Sequence, residues 1–214
     1  MEANREAWDH AHKTFATTLE TIDGQANRIQ TEQFFRVCDA VGGMFQAMFM
    51  GMIASQLKGD IDNSVNSVRQ AFLKQPDKCH TLEDLVAYDL ESRGLETIRA
   101  DRASGTVGLI WAKRSVQFVV MYLELLGKQP DITAGECTQN TYEKVLMPYH
   151  GWLTSKFVVT VMGLAPDRED VYTKLGLDTE PLAAINSFVA VANPVIGEIQ
   201  RLLDEHDCDF PDKV

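Results

Sequence analysis

The chain has few cysteines and no excess of positive charge, and neither Val41–Ala54 nor Thr106–Leu126 suits a bilayer span. Its four cysteines among 214 residues, Cys38, Cys79, Cys137 and Cys208, show no paired spacing of a metal or redox site. That pattern points away from a disulfide scaffold and towards free thiols in a reducing cytoplasm. The net charge of −11 leaves no basic stripe for nucleic acid. It also works against attraction to anionic membranes, so any bilayer contact should rely on neutral surfaces or aromatic insertion. The apolar stretch from Val41 to Ala54 is too short for a span. Thr106 to Leu126 is long enough but carries Lys113, Arg114, Gln117 and Glu124, which suits a buried helix with one wet side. The start, MEANREAWDHAHK, has no apolar stretch of a signal peptide, so the expected localisation is cytoplasmic. Sustained period-2 alternation is also missing, which leaves little for a β-sheet.

Hydrophobic residues make up 45% and charged residues 24%, the balance of a globular protein able to bury a substantial core. The pattern predicts one domain over 1–214 and helices near 4–22, 31–54, 58–74, 81–99, 103–127, 137–164, 167–175 and 180–206. Breaks fall at Asp23-Gly24, Gln75-Pro76-Asp77, Lys128-Gln129-Pro130, Ala165-Pro166 and Gly176. Thr31, Thr81 and Asp167 are N-cap types, and Thr81 with Asp84 forms a loose capping box. Pro148 and Pro194 fall inside helical pattern and should kink it.

Four segments carry chemistry. In YEKVLMPYHGWLTSKF, Tyr142 to Phe157, helical spacing puts Leu146, His150, Leu153 and Phe157 on one stripe. Tyr142, Val145, Tyr149, Trp152 and Lys156 form a second stripe, aromatic and ending in a cation, as at a membrane interface. Asp60 shares a polar helix face with Asn63, Ser64 and Ser67; taken alone, this reads as a solvated first turn. Trp111, in GLIWAKR, shares a face with Val107, Ser115, Phe118 and Tyr122, and Arg114 lies one turn on. Such a stripe is commonly core, but a flat aromatic with polar groups at its edge also binds sugars. The stretch GGMFQAMFMGM, Gly42 to Met52, is apolar at every helical angle, as core or as a lining for hydrocarbon.

Tyr142, Tyr149-His150-Gly151-Trp152 and Lys156, with Leu164-Ala165-Pro166 closing the segment, resemble the glycolipid transfer proteins. GLIWAKR resembles that family's tryptophan-bearing helix and LKGDI, Leu57 to Ile61, its aspartate-bearing helix. The likeness runs from about Ile29 to Val214. It implies an all-α, single-domain, two-layer helical sandwich of about eight helices. It further implies that Asp60 accepts a ceramide amide N–H, that His150 donates to the acyl carbonyl and that Trp111 lies under the first sugar. Asn63, Ser64, Ser67 and Arg114 would complete the headgroup site. Phe45, Met48, Phe49, Met52, Phe118, Leu146, Leu153, Phe157 and Phe188 would line an acyl-chain pocket. Tyr142, Trp152 and Lys156 would dock on the membrane.

The sequence departs from the family where an asparagine and a lysine are usual, four and seven residues after the aspartate; here Ser64 and Ser67 stand. A shifted match, Asp62, Asn66 and Arg69, falls on the opposite helix face and breaks the ungapped run to Pro76. The end, Phe210-Pro211-Asp212-Lys213-Val214, keeps the Lys-Val but has Asp212 where a tyrosine is usual. The resulting expectation is a non-enzymatic, monomeric carrier of a glycosylceramide, with transient membrane contact and no cofactor, metal or nucleic acid. The alternatives are a carrier of ceramide-1-phosphate or another sphingolipid, and a sphingolipid sensor that binds without shuttling. The ceramide-1-phosphate branch places arginines where this chain has Trp111. A hydrolase pairing Asp60 with His150 would need a nucleophile, for which there is no motif.

Overall fold

The computed structural model describes residues 2–24, 28–49, 52–151 and 166–212. Within them the chain forms α1 (Glu2–Gly24), α2 (Thr31–Met48), α3 (Met52–Lys74), α4 (Leu82–Arg93), α5 (Leu95–Ala100), α6 (Gly105–Lys128), α7 (Ala134–Val145), α8 (Arg168–Lys174) and α9 (Pro181–Glu205). Two 3-10 turns, Pro76–Lys78 and Met147–Tyr149, stand between them. Among the described residues the β-structure is a single isolated antiparallel bridge, Gln30 to Thr81, which ties the start of α2 to that of α4.

The helices stack as the two-layer sandwich the sequence predicts, with α6 inside it. Residues on nearly every side of α6 are buried, from Gly105 to Leu126, because it contacts α2, α3, α4, α5, α7 and α9. Its long apolar run therefore belongs to a core helix. Two cations, Lys113 and Arg114, are buried within it. Its most extensive partner is α3. A Cβ on Gly108 would fall 2.7 Å from the Ser64 carbonyl oxygen and from Ser67 Cβ. Only glycine lets the two backbones come this close.

Local chemistry sets the ends of the helices. Thr81 and Asp84 make the expected capping box, and Thr133 with Glu136 makes a second that starts α7. Ser104 accepts from Val107 N at 3.0 Å to open α6. Asp167 precedes α8 without a side-chain cap. Thr31 is the first residue of α2 rather than its cap, and its hydroxyl donates to the Cys79 carbonyl at 2.7 Å. The orphan carbonyls at the end of α6 are gathered by Arg168, which donates to Leu126 O and, at 2.7 Å each, to Gln129 O and Ile132 O.

Three predicted helices are shorter than expected. The helix from 31 ends at Met48, where Phe49 turns extended, and the next begins at Met52 rather than 58. The helix over 81–99 is divided at Gly94, whose φ of 76° lies in the left-handed region that glycine supplies. The helix over 137–164 starts at Ala134 and ends at Val145. Pro148 lacks an N–H and its ring opposes the carbonyl four residues back, so the chain forms a 3-10 turn and then extends at His150. By contrast α9 runs through Pro194. It is the one helix among the described residues long and apolar enough to cross a membrane, by length and composition alone. Its apolar face, from Ile185 to Leu203, packs on α1 and α6.

Candidate functional site

Helices α3 and α6 run antiparallel, with Gly105 against Ala71 and Gly108 against Ser64 and Ser67. That register carries Trp111 on to the level of the Asp60–Ser64 turn. The chain after α7 then brings the Pro148 turn onto the indole. His150 stacks on Trp111, with centroids 5.8 Å apart and planes 14° from parallel. Tyr149 meets the indole edge-on at 6.4 Å. Beneath both rings lies Arg114, its guanidinium 3.3 Å from the Tyr149 centroid and 5.1 Å from that of Trp111. Residues far apart in sequence thus form one aromatic cluster over a buried cation.

His150 is held by Tyr142, whose hydroxyl lies 3.0 Å from Nδ1. Burial, with a smaller contribution from the Arg114 cation, pushes the imidazole pKa below its ordinary value. The ring is therefore neutral near pH 7, with one nitrogen donating and the other accepting.

Arg114 is 2% exposed. It donates to Asp209 Oδ1 and to the Phe210 carbonyl, both at 2.7 Å. Lys113 donates to Gln200 Oε1, and Gln200 Nε2 donates to Asp209 Oδ2 at 2.9 Å. Burial alone would raise the Asp209 pKa; hydrogen bonds from Gln200 and Arg114 outweigh it and hold the carboxyl below the usual range. Burial lowers the Lys113 pKa.

The polar face of α3 is open. Asp60 and Asn63 are exposed, and Ser64 and Ser67 are half-buried. The exposure of Asp60 agrees with the solvated turn read from the sequence alone, so the cost of an unmet carboxylate arises only when a ligand covers it. Ser64 Oγ donates to the Asp60 carbonyl at 2.8 Å and Ser67 Oγ to that of Asn63 at 3.4 Å. Both hydroxyl donors thus turn back on their own helix.

Tyr142 requires a further correction. It is 0% exposed and bonded to His150, so it holds the site from within and offers no surface to a membrane. The stripe drawn through it assumed one helix over 137–164, whereas the helix ends at Val145. Met147, 39% exposed, and Pro148 stand out at that turn instead. The other two docking candidates, Trp152 and Lys156, lie outside the described residues, as do Leu153 and Phe157 of the expected pocket. Met52 begins α3, but its side chain also lies outside the described set.

Of the remaining pocket candidates, Phe45, Met48, Phe49, Phe118 and Leu146 are buried. Phe45 and Phe49 stack at 4.5 Å, and Phe49 reaches Tyr122 at 5.8 Å, forming an apolar cluster between α2 and α6. Phe188 lies elsewhere, packed between α1 and α9 against Trp8 and Phe15. The largest roles missed in the sequence belong to Tyr149 and Asp209. Tyr149 was visible as an aromatic beside His150, whereas nothing in the sequence ties Asp209 to Arg114, 95 residues away. Among the described residues no cluster of three or more His, Cys, Asp or Glu side chains could hold a metal.

The described residues thus form a two-layer helical sandwich that holds this aromatic cluster. The family model described as glycolipid transfer protein matches residues 29–177, and the chain belongs to that family of lipid transfer proteins. Glycolipid transfer protein 1 of Arabidopsis thaliana is 24% identical over 185 residues, covering 86% of this chain and 89% of its own. Two solved structures share the fold. Human ceramide-1-phosphate transfer protein, bound to that lipid, superposes with a TM-score of 0.83 at 17% identity, covering 93% of this chain and 97% of its own. HET-C2, a fungal glycolipid transfer protein, superposes with a TM-score of 0.73 at 23% identity, covering 86% and 89%. Likeness at such identities establishes the architecture and leaves the ligand to the side chains of the site.

Proposed function

We propose that the protein is a monomeric, non-enzymatic carrier of a glycosylceramide-like lipid, acting at cytosolic membrane leaflets. The supporting observation is the half-buried Trp111, backed by a neutral His150 and set beside the open polar face of α3. Indole offers a sugar an apolar plane, and Asp60 and Asn63 offer hydrogen bonds at its edge. In this reading the Tyr142 hydroxyl donates to His150 Nδ1, which leaves Nε2–H to donate to the acyl carbonyl. Asp60 accepts the amide N–H, a donor that a glycerolipid ester lacks. A buried group left unmet costs about 1–3 kcal/mol, enough to select sphingolipids. The hydrocarbon chains pass into the apolar interior, contributing about 0.8 kcal/mol per buried CH₂. Met147 and Pro148 join Trp152 and Lys156 in touching the membrane, and no nucleic acid takes part.

A ceramide-1-phosphate carrier would need free cations at the headgroup. Here Lys113 and Arg114 are buried and already bonded within the chain, which favours the neutral headgroup.

The test is transfer of fluorescent galactosylceramide between phosphatidylcholine vesicles, beside ceramide-1-phosphate, for wild type, Asp60→Val and His150→Leu. We expect galactosylceramide to move with wild type and to stay behind with either variant, at unchanged helical circular dichroism. Wild-type rates in both variants would overturn the assignment of the amide-binding pair.

A further inference from the structure

The carboxyl-terminal tail has no part in the reading above, yet it is bonded to the underside of the same site. After α9 the chain turns at Asp207, whose φ is 55°, and crosses α6 at Arg114. The guanidinium touches the aromatic cluster on one side and the tail on the other: Tyr149 at 3.3 Å to its centroid, Asp209 Oδ1 and Phe210 O at 2.7 Å. The second Asp209 oxygen accepts from Gln200, which also takes the ammonium of Lys113. One carboxylate therefore engages both neighbouring cations of α6, Arg114 directly and Lys113 through an amide. A separate latch holds the tail further on, where Arg99 makes a two-pronged contact with Asp212 at 2.7 and 3.1 Å.

A phosphomonoester carries nearly two negative charges and is recognised best by a forked, unpaired guanidinium. In this protein the fork that could serve already carries a carboxylate, and an incoming phosphate would meet that carboxylate as a like charge. A sugar headgroup has no such conflict.

We propose that Asp209 is a positioning residue that sets headgroup specificity: by occupying Arg114, and Lys113 through Gln200, it closes the Trp111 site to phosphorylated sphingolipids. The inference rests on the headgroup reading of that site and adds a reason for its selectivity.

The experiment compares transfer of fluorescent ceramide-1-phosphate and galactosylceramide from phosphatidylcholine vesicles by wild type, Asp209→Asn, Asp209→Glu and Asp212→Asn. Asp209→Asn keeps the size and removes the charge, and it should raise the ratio of ceramide-1-phosphate to galactosylceramide transfer about tenfold. Asp209→Glu restores the charge and should return the ratio towards wild type. Asp212→Asn weakens the other latch, leaves the hydrogen bonds of Arg114 in place and should keep the ratio near wild type. If Asp209→Asn loses its helical signal, Asp209→Ser supplies the same comparison. An unchanged ratio, with wild type still moving galactosylceramide, overturns the proposal and leaves the headgroup reading standing. An equal rise in Asp212→Asn also overturns it, since loosening of the tail would then be the cause. A wild type that moves neither lipid sinks the headgroup reading and this inference with it.

Discussion

Two aromatic clusters in this molecule use similar residues to opposite ends. Between α1 and α9, Trp8, Phe15 and Phe188 pack with ring centroids 5.1 and 5.4 Å apart, and all three are buried. Their polar neighbour His12 faces outwards and bonds Ser187 at 3.0 Å. At the other cluster Trp111 is only half-buried, its stacking partner is an imidazole, and a cation lies beneath the neighbouring ring. The first is buried and apolar; the second is only partly buried and holds an imidazole and a cation against its rings. Aromatic content therefore does not separate core from binding surface. Incomplete burial combined with fixed polar partners is what marks the proposed site.

The contrast is testable by truncation. Phe188→Ala should destabilise the fold by about 3–5 kcal/mol, seen in denaturant unfolding, while the folded fraction keeps its lipid preference. Trp111→Ala should do the reverse, costing galactosylceramide transfer tenfold or more, about 1.4 kcal/mol, with a small change in unfolding midpoint. If both variants lose stability alike, the distinction between the clusters fails. Gly108→Ala should cost about 1–3 kcal/mol, because its methyl meets backbone at 2.7 Å, and transfer should fall with it. Wild-type thermal stability would show that the helices can part there freely.

Acid should act on the second cluster through His150. Its folded pKa lies below the ordinary value of 6.5, so the unfolded chain takes the proton first. The stability it contributes is complete above that ordinary value and is lost as pH falls through the folded one. Melting followed from neutral pH into mild acid should show this slope in wild type and a shallower one in His150→Gln; equal slopes would assign the acid sensitivity elsewhere. The smallest effect belongs to Met147→Ser, which removes one exposed apolar side chain at the Pro148 turn. It should weaken vesicle association a few-fold in a flotation assay, within the roughly 1.5–3 kcal/mol of a fully buried Met. No change would move docking away from this turn.

Much of the architecture was legible from 3.6-residue periodicity and turn residues, as at Thr81–Asp84 and the Gln75-Pro76-Asp77 break. The errors came where one residue overrides a pattern: Gly94 divides a predicted helix, and Pro148 ends another before His150. Tyr142 was misplaced as well: it lies within α7 and packs inwards, and the chain broken at Pro148 returns His150 to its hydroxyl. Asp60, Trp111 and His150 were named from resemblance, and the fold brings Trp111 and His150 into contact while its register sets Asp60 nearby. The part hidden from the sequence is the long-range pairing of Arg114 with Asp209, since charge complementarity between distant residues leaves no periodic trace.

The Gly108 contact also bears on how the carrier could take in its cargo. With α3 and α6 seated backbone to backbone, the proposed headgroup site rests on a pair whose spacing is fixed at Gly108. Room for hydrocarbon chains of different length must then open along other seams, such as that between α2 and α6 where Phe49 meets Tyr122. Chain length and headgroup should therefore vary independently: a lipid with a longer tail would strain the seam without disturbing how its head is read.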